Sequence, residues 1–406
     1  MNKEKYIPQG YKDSPLGIIP KEWEVKRLGD VCYISVGRDV QVDHFSEFMT
    51  DDYKYPVYSN TIEEKGLYGF YNYEEFTKGK VTVVGRGVGL GTSFARDNGF
   101  GAIGRLVVLT PRNNLSNHYL ENYINSKVHF FVESAAIPQL TGEQIASYKI
   151  AIPPFPEQLL IENYIQLWDT AIEKQSELIE KLKLRKRALM QQLLTGKKRL
   201  PGFNGEWKRK KLGDIAERVT RKNEEDNKNV VTISAQRGFV IQTDFFNKSV
   251  ASEVLDNYFL VYKDEFCYNK SYSNGYPMGA IKRLKSFDKA VVTTLYICFK
   301  LKNMASVNID FFEQYCESGI FNKELIKVAN EGGRAHGLLN VTPADFFNMH
   351  MRIPNIDEQN AIAILLVNAN KEIELANEKL ASFQSQKRGL MQQLLTGKKR
   401  VIKNEL

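Results

Sequence analysis

One stretch of this 406-residue chain is written twice. Residues 186–199 read KRALMQQLLTGKKR and residues 387–400 read KRGLMQQLLTGKKR, identical at thirteen of fourteen positions with an offset of 201. An internal copy this close restricts the fold before any propensity is weighed, because each copy must occupy an equivalent place in a repeated frame. The offset holds upstream: Ile152-Pro153 maps onto Ile353-Pro354 and Glu157-Gln158 onto Glu358-Gln359.

A seam runs between these ends. Steps of four and three from Ile161 reach Ile165, Trp168, Ile172, Gln175, Ile179, Leu182, Lys186, Leu189 and Leu193. The second copy gives Ile362, Leu366, Ala369, Ile373, Ala376, Leu380, Phe383, Lys387, Leu390 and Leu394. Only Gln175, Lys186 and Lys387 are not apolar. Such steps keep side chains on one helix face, a coiled-coil pattern, and the other faces are largely Glu, Lys, Gln, Asn and Ser. Prolines 153, 154 and 156 place the first helix start near Glu157, and Gly196 and Gly397 fit C-terminal caps followed by Lys and Arg. Each helix is then about 38 residues, roughly 57 Å long. Two matched stripes a domain apart favour helices that pack on each other. Lys186 and Lys387 are expected to snorkel from the seam, with contact to a partner subunit or DNA as the alternative, and Gln175 either fixes register or is tolerated opposite a small residue.

A second marker sets the start of the repeat unit. Trp23 precedes Leu28-Gly29-Asp30, and Trp207 precedes Leu212-Gly213-Asp214 at an offset of 184. The unit therefore runs from the W-x4-LGD element to the helix end, and its second copy is longer. Between Asp30 and Ile137, and between Asp214 and Leu338, the copies resemble each other little, so a duplicated frame holds different contents. Strands are expected at Tyr55–Ser59, Lys80–Val84, Leu106–Leu109, Val230–Ser234, Phe266–Asn269 and Val291–Leu301. Helices are expected at Asn117–Val132 and Ile309–Val328. The fold class is α+β.

The net charge of +8 and pI near 9.0 favour a polyanionic partner. No apolar run suits a membrane span and no signal sequence is evident. Cys32, Cys267, Cys298 and Cys316 are scattered without a CxxC pair, which fits a reducing cytoplasm and no zinc site. The variable contents carry side chains suited to nucleic acid. Asn60, Arg86, Thr92 and Arg96 lie in the first segment; Gln236, Arg237, Asn269, Lys270, Tyr272, Asn274 and Arg334 lie in the second. Arg reads guanine bidentately, Asn and Gln read adenine, and Lys, Ser and Thr near glycines hold phosphates. Polar, glycine-rich loops also connect strands everywhere.

Catalytic patterns are near misses. Gly85, Gly87, Gly89 and Gly91 alternate and match neither GxGxxG nor a P-loop. Pro153-Pro154-Phe155 resembles the Asn/Asp-Pro-Pro-Tyr/Phe signature of amino-methyltransferases, but Ile152 stands where the amino hydrogens need an acceptor. Asp52, Glu63 and Lys65 form a triplet that charged chains produce by chance, and the five histidines show no HExxH. The chain is not expected to be an enzyme, and it offers no metal site.

The stretches WEVKRLGD, IPPFPEQ, KRALMQQLLTGKKRLPGFNGEWKRKKLGD, IPNIDEQ and KRGLMQQLLTGKKR resemble the specificity subunit of type I restriction–modification systems over nearly the whole chain. The resemblance implies an N-terminal arm (1–22), target recognition domains at 23–150 and 205–354, a central conserved region with the first helix (151–204), and a C-terminal one with the second (355–406). It implies antiparallel helices acting as a ruler, pseudo-twofold symmetry, and one half of a bipartite, asymmetric DNA target per domain. Two methyltransferase subunits carrying S-adenosylmethionine and restriction subunits using ATP and magnesium would dock on this scaffold. The chain itself would hold no cofactor. Two alternatives stay open. A stand-alone two-headed regulator would bind DNA tightly without partners, and a protein–protein adaptor would show weak salt dependence with nucleic acid.

Overall fold

The computed structural model describes residues 6–112, 114–131, 138–246, 255–329 and 339–401. The chain is α+β and divides into two compact units: 1–175 with 379–406, and 176–378. Each unit therefore holds one globular segment and a part of both long helices, which run Phe155–Leu193 and Ile356–Leu394, 39 residues each. The first begins at Phe155, two residues before the expected start, since proline is tolerated in a helix's first turn.

The frame of each unit is closed by its own repeat motifs. In the first, the strand after Trp23, Glu24–Arg27, pairs antiparallel with Lys149–Ile152, and Leu28 N–H donates to Tyr148 O at 2.8 Å. In the second, Lys208–Lys211 pairs with His350–Ile353, and Leu212 N–H donates to Met349 O at 2.8 Å. The LGD residues begin a single helical turn in both, Leu28–Val31 and Leu212–Ile215, where Asp30 and Asp214 accept from the backbone of Arg27 and Lys211.

The helix ends lock onto this frame through one buried ion-pair arrangement made twice. In the first unit Glu157 accepts from Trp23 Nε1 (3.0 Å) and from Arg400 Nε and Nη2 (2.7 and 2.9 Å). In the second unit Glu358 accepts from Trp207 Nε1 (3.3 Å) and from Arg199 Nε and Nη2 (2.5 and 2.6 Å). The carboxylates are only 6% and 1% exposed. A buried carboxylate is tolerable only when its lone pairs are matched, and the bidentate guanidinium with the indole N–H does that. In each unit the start of one long helix thus meets the end of the other, so the helices run antiparallel there.

The neighbouring glutamines order the globular segments. Gln158 accepts from Ser116 N–H (2.9 Å) and donates to Asn114 O and Pro153 O; Gln359 accepts from Asn308 N–H (2.9 Å) and donates to Ser306 O and Pro354 O. Ser116 and Asn308 are the N-caps of helices Asn117–Lys127 and Ile309–Glu317. Gly196 and Gly397 take left-handed φ of +69° and +68° and lie against Trp207 and Trp23, where the chain turns back from each helix.

The seam residues are buried or half-buried. In the first unit these are Ile161, Ile165, Trp168, Ile172, Leu380, Phe383, Leu390 and Leu394. Trp168 meets Phe383 edge-on at 5.7 Å. In the second unit they are Ile179, Leu182, Leu189, Leu193, Ile362, Leu366 and Ile373. Outside the seam, Arg185 pairs with Glu372. Lys387 is tied to Asp169, while Lys186 borders a cleft facing Glu317, so the two seam lysines are not equivalent.

The contents prove duplicated in topology though not in sequence. A four-stranded antiparallel sheet in the first unit has the order Cys32–Val36, Val107–Pro111, Lys80–Val83, Ser93–Arg96. The second unit repeats it with Ala216–Arg218, Ile297–Leu301, Phe266–Asn269 and Ala280–Arg283. What differs lies in separate sheets: Gly101–Ala102, Tyr55–Tyr58, Leu67–Tyr71 and Phe45–Ser46 form a second four-stranded sheet in the first unit, and the hairpin Val231–Ser234/Gly238–Ile241 and the pair Phe259–Tyr262/Lys289–Val292 form two two-stranded sheets in the second.

Two expected elements are broken. Val291–Leu301 is two strands, because residues 293–296 turn, with Tyr296 N–H donating to Thr293 O. Ile309–Val328 is two helices, Ile309–Glu317 and Asn322–Val328, because Gly319 adopts φ +73°. The helix at Asn117 ends at Lys127; Val132 lies outside the described residues. No helix among the described residues is long and apolar enough to cross a membrane.

Candidate nucleic-acid interface

In the first unit the alternating glycines explain themselves. Gly87, Gly89 and Gly91 all have φ near +85° and curl the chain between strands Lys80–Val83 and Ser93–Arg96. Gly91 N–H donates to Val84 O and Val84 N–H to Thr92 O, both at 2.8 Å, and Thr92 N–H reaches Gly89 O. The loop holds Arg86 and Val88 exposed and leaves Thr92 half-buried. Asn60 braces it: Oδ1 accepts from Gly85 N–H at 2.8 Å, while Nδ2 donates to Gly104 O. Its amide is therefore already committed on both sides.

Arg96, a candidate contact by its chemistry, is not on a loop. It ends a strand, is 5% exposed, and lies over the Tyr58 ring at 3.4 Å. Nε donates to Thr82 Oγ1 (2.9 Å) and Nη2 to Lys65 O (2.7 Å). Burial lowers its pKa to about 10, with the Tyr58 contact opposing. This arginine holds the loops together from beneath.

In the second unit two loops converge. Gln236 and Arg237 sit exposed at the turn of the Val231–Ser234/Gly238–Ile241 hairpin. Gln236 Nε2 donates to Asn274 O at 3.0 Å, and Arg237 lies over Phe245 at 5.8 Å. Asn274 is exposed and Tyr272 is 67% exposed. Asn269 and Lys270 are half-buried; Asn269 ends a strand, donating to Ile233 O and accepting from Ser271 N–H. Arg334 lies outside the described residues.

These loops border a cleft of about 740 Å³ with the first long helix, whose Lys183, Lys186 and Arg187 line it beside Gln236 and Asn274. Its floor is a polar network: Lys282 Nζ donates to Glu317 Oε1 (2.6 Å) and Tyr276 OH (3.2 Å), and Tyr276 OH donates to Glu317 Oε2 (2.9 Å). Burial raises the Tyr276 hydroxyl, with Glu317 adding to it, so the phenol stays a donor. Burial also lowers the Lys186 ammonium, opposed by Glu317. Lys183 and Arg187 were read in sequence only as a solvated helix face; a run of cations at helical spacing facing polar loops was the signal available.

The arrangement offers exposed bidentate donors, an aromatic ring and cations on loops braced by a rigid sheet. Among the described residues no group of His, Cys, Asp and Glu is disposed to hold a metal ion.

The description "Type I restriction modification DNA specificity domain" matches residues 20–184. A putative type I specificity subunit of Mycoplasma pneumoniae is 25% identical over 374 residues, covering 88% of this chain and 95% of that protein. The MjaVIII type I restriction enzyme specificity subunit of Methanocaldococcus jannaschii is 23% identical over 436 residues, covering 98% and 97%. The chain is thus similar, over nearly its whole length, to type I restriction–modification specificity subunits. The fold agrees: the S subunit from M. genitalium superposes with a TM-score of 0.55 at 15% identity, over 92% of this chain and 96% of that one. A chain from a structural study of assembly and conformational transition in a type I R-M system gives 0.56 at 13%, over 93% and 99%.

Proposed function

We propose that this chain supplies the sequence address of a type I restriction–modification complex, with each globular segment reading one half of a bipartite, asymmetric DNA target. The observation that carries this is the fold of the two segments: one common sheet, held by one duplicated frame, bearing different loops. A common scaffold with different loop chemistry reads two different sequences. Arg86 and Thr92 in the first segment, and Gln236, Arg237, Lys270, Tyr272 and Asn274 in the second, are the proposed DNA contacts. Asn60 and Asn269 act by bracing loops, and Arg96 from within the core. The segments 23–150 and 205–354 serve as recognition domains, with the arm 1–22 and the regions 151–204 and 355–406 as scaffold.

In this reading the long helices set the separation of the half-sites, and they dock two methyltransferase subunits and the restriction subunits. Adenine methylation, with S-adenosylmethionine, and cleavage, with ATP and magnesium, belong to those partners. Base-resolved mapping of adenine methylation in the source cell, with and without a frameshift in this gene, tests the proposal. Loss of one motif made of two short halves around a fixed spacer is expected. Exchanging residues 30–137 for those of another such subunit then changes one half only, and Arg86→Ala weakens discrimination in that same half. Methylation unchanged by the frameshift, with the methyltransferase expressed, refutes the proposal.

A further inference from the structure

The two frames match in fold but not in charge. Residues 13–27, leading into the first frame strand, contain three cations and three acids. The equivalent residues 197–211 contain seven cations, and Glu206 is the single acid. Arg199 is spent on Glu358, and of the six cations left, Lys208, Arg209, Lys210 and Lys211 make up the frame strand itself.

Register turns this excess into a surface. Arg209 stands directly opposite Arg352, and Lys211 opposite His350. Directly opposed residues of an antiparallel pair share a face, and like charges there are destabilising. In the first frame the pair corresponding to Arg209 and Arg352 is Val25 opposite Ala151, half-buried and buried against that unit's core, while Arg27 stands exposed opposite Lys149. Arg209, Lys211 and Arg352 are exposed instead. Among the described residues none of the three makes an ion pair; Lys211 Nζ only approaches Asn348 Oδ1 at 3.4 Å. The acids at hand are engaged: Asp214 Oδ2 accepts from Lys211 N–H, and Glu324 pairs with Lys327 and lies 3.8 Å from His350 Nδ1. A sheet face that opposes like charges without internal counterions is complementary to an external polyanion.

We propose that the outer face of the Lys208–Lys211/His350–Ile353 sheet grips the sugar–phosphate backbone of duplex DNA through Arg209, Lys211 and Arg352, without reading bases. The first frame keeps one opposed cation pair, Arg27 and Lys149, but has Val25 and Ala151 where the second has two arginines, so the grip is stronger on the second frame. This rests on the DNA-specificity reading above, and on the phosphate backbone being the polyanion that such a chain meets.

The test is the salt dependence of binding. The full chain, purified with whatever subunits accompany it, is titrated with a duplex carrying the mapped target and with a scrambled duplex. The variant is Arg209→Gln/Lys211→Gln/Arg352→Gln, compared with Arg209→Lys/Arg352→Lys. Each phosphate contact adds about 0.9 to the slope of log K against log salt, so the triple variant should lose roughly 2–3 in slope. The loss should be equal on both duplexes, with the ratio of target to scrambled affinity unchanged and the lysine variant near wild type. An unchanged slope in the triple variant overturns the proposal and leaves an acidic protein segment as the ligand of this face. A changed target ratio overturns it as well, since it would make these residues base readers. If the triple variant does not fold, a Lys211→Gln variant must lose about 1 in slope. A wild type that does not distinguish the two duplexes instead refutes the DNA-specificity reading itself.

Discussion

Replacing Arg199 by methionine should destabilise the second unit selectively, and by more than replacing its partner. The Glu358 carboxylate is 1% exposed and is held by Arg199 on two nitrogens and by Trp207 at 3.3 Å. Without Arg199 a buried charge keeps one long hydrogen bond. Breaking a buried pair from the cationic side costs about 3–5 kcal/mol. Arg199 is itself 26% exposed, so water can enter its place, and the cost is set at the lower end, about 3 kcal/mol. Glu358→Gln keeps an acceptor for the indole and frees an arginine that can turn to solvent, so about 1 kcal/mol is expected. The double variant should cost less than the sum, because the orphan charge is gone. Hydrogen exchange against urea, read on peptides covering 356–366, measures this. With a slope of about 2 kcal/mol per molar, Arg199→Met moves the midpoint by roughly 1.5 M. Peptides covering 155–165, held by the separate Glu157–Arg400 pair, act as the internal control. Glu358→Gln costing as much as Arg199→Met, or strict additivity, would refute the account of the lock as a desolvated charge.

Two further outcomes follow from local geometry. An alanine at Gly397 would place its Cβ 2.4 Å from Pro20, whereas one at Gly196 meets Trp207 at an ordinary 3.4 Å. Both pay the left-handed backbone strain of about 1–2 kcal/mol, so thermal unfolding should show Gly397→Ala as the more destabilising of the two. His118, beside Glu121 and 2.9 Å from Asp97, has its pKa raised to about 9. A raised folded-state value means that its contribution is complete below pH 6.5 and is lost as pH rises through about 9. His118→Gln should flatten the pH dependence of first-unit unfolding over that window, and a slope unchanged by the variant would show that other groups carry it.

The partition between sequence and tertiary structure follows from how far apart the cooperating residues lie. Periodicity is local, so the helix seam from Ile161 to Leu193 and its copy were legible, as were the glycine caps and the W-x4-LGD starts. What each motif does was not legible. Trp23, Glu157 and Arg400 are 134 and 243 residues apart, and nothing in their neighbourhoods says that one carboxylate collects the other two. Sheet order is likewise non-local: Cys32–Val36 pairs with Val107–Pro111, and no alignment of the segments reveals that Ala216–Arg218 and Ile297–Leu301 repeat it. Side-chain chemistry is blind to burial, so Arg86 and Arg96 look equivalent in sequence, yet one stands exposed on a loop and the other is sealed over Tyr58. The sequence alone determined that the frame is built twice around paired helices, because hydrophobic spacing and repetition are properties of the chain. Only the tertiary structure decided which polar groups meet, because a buried charge or an opposed arginine pair is defined by neighbours brought from elsewhere.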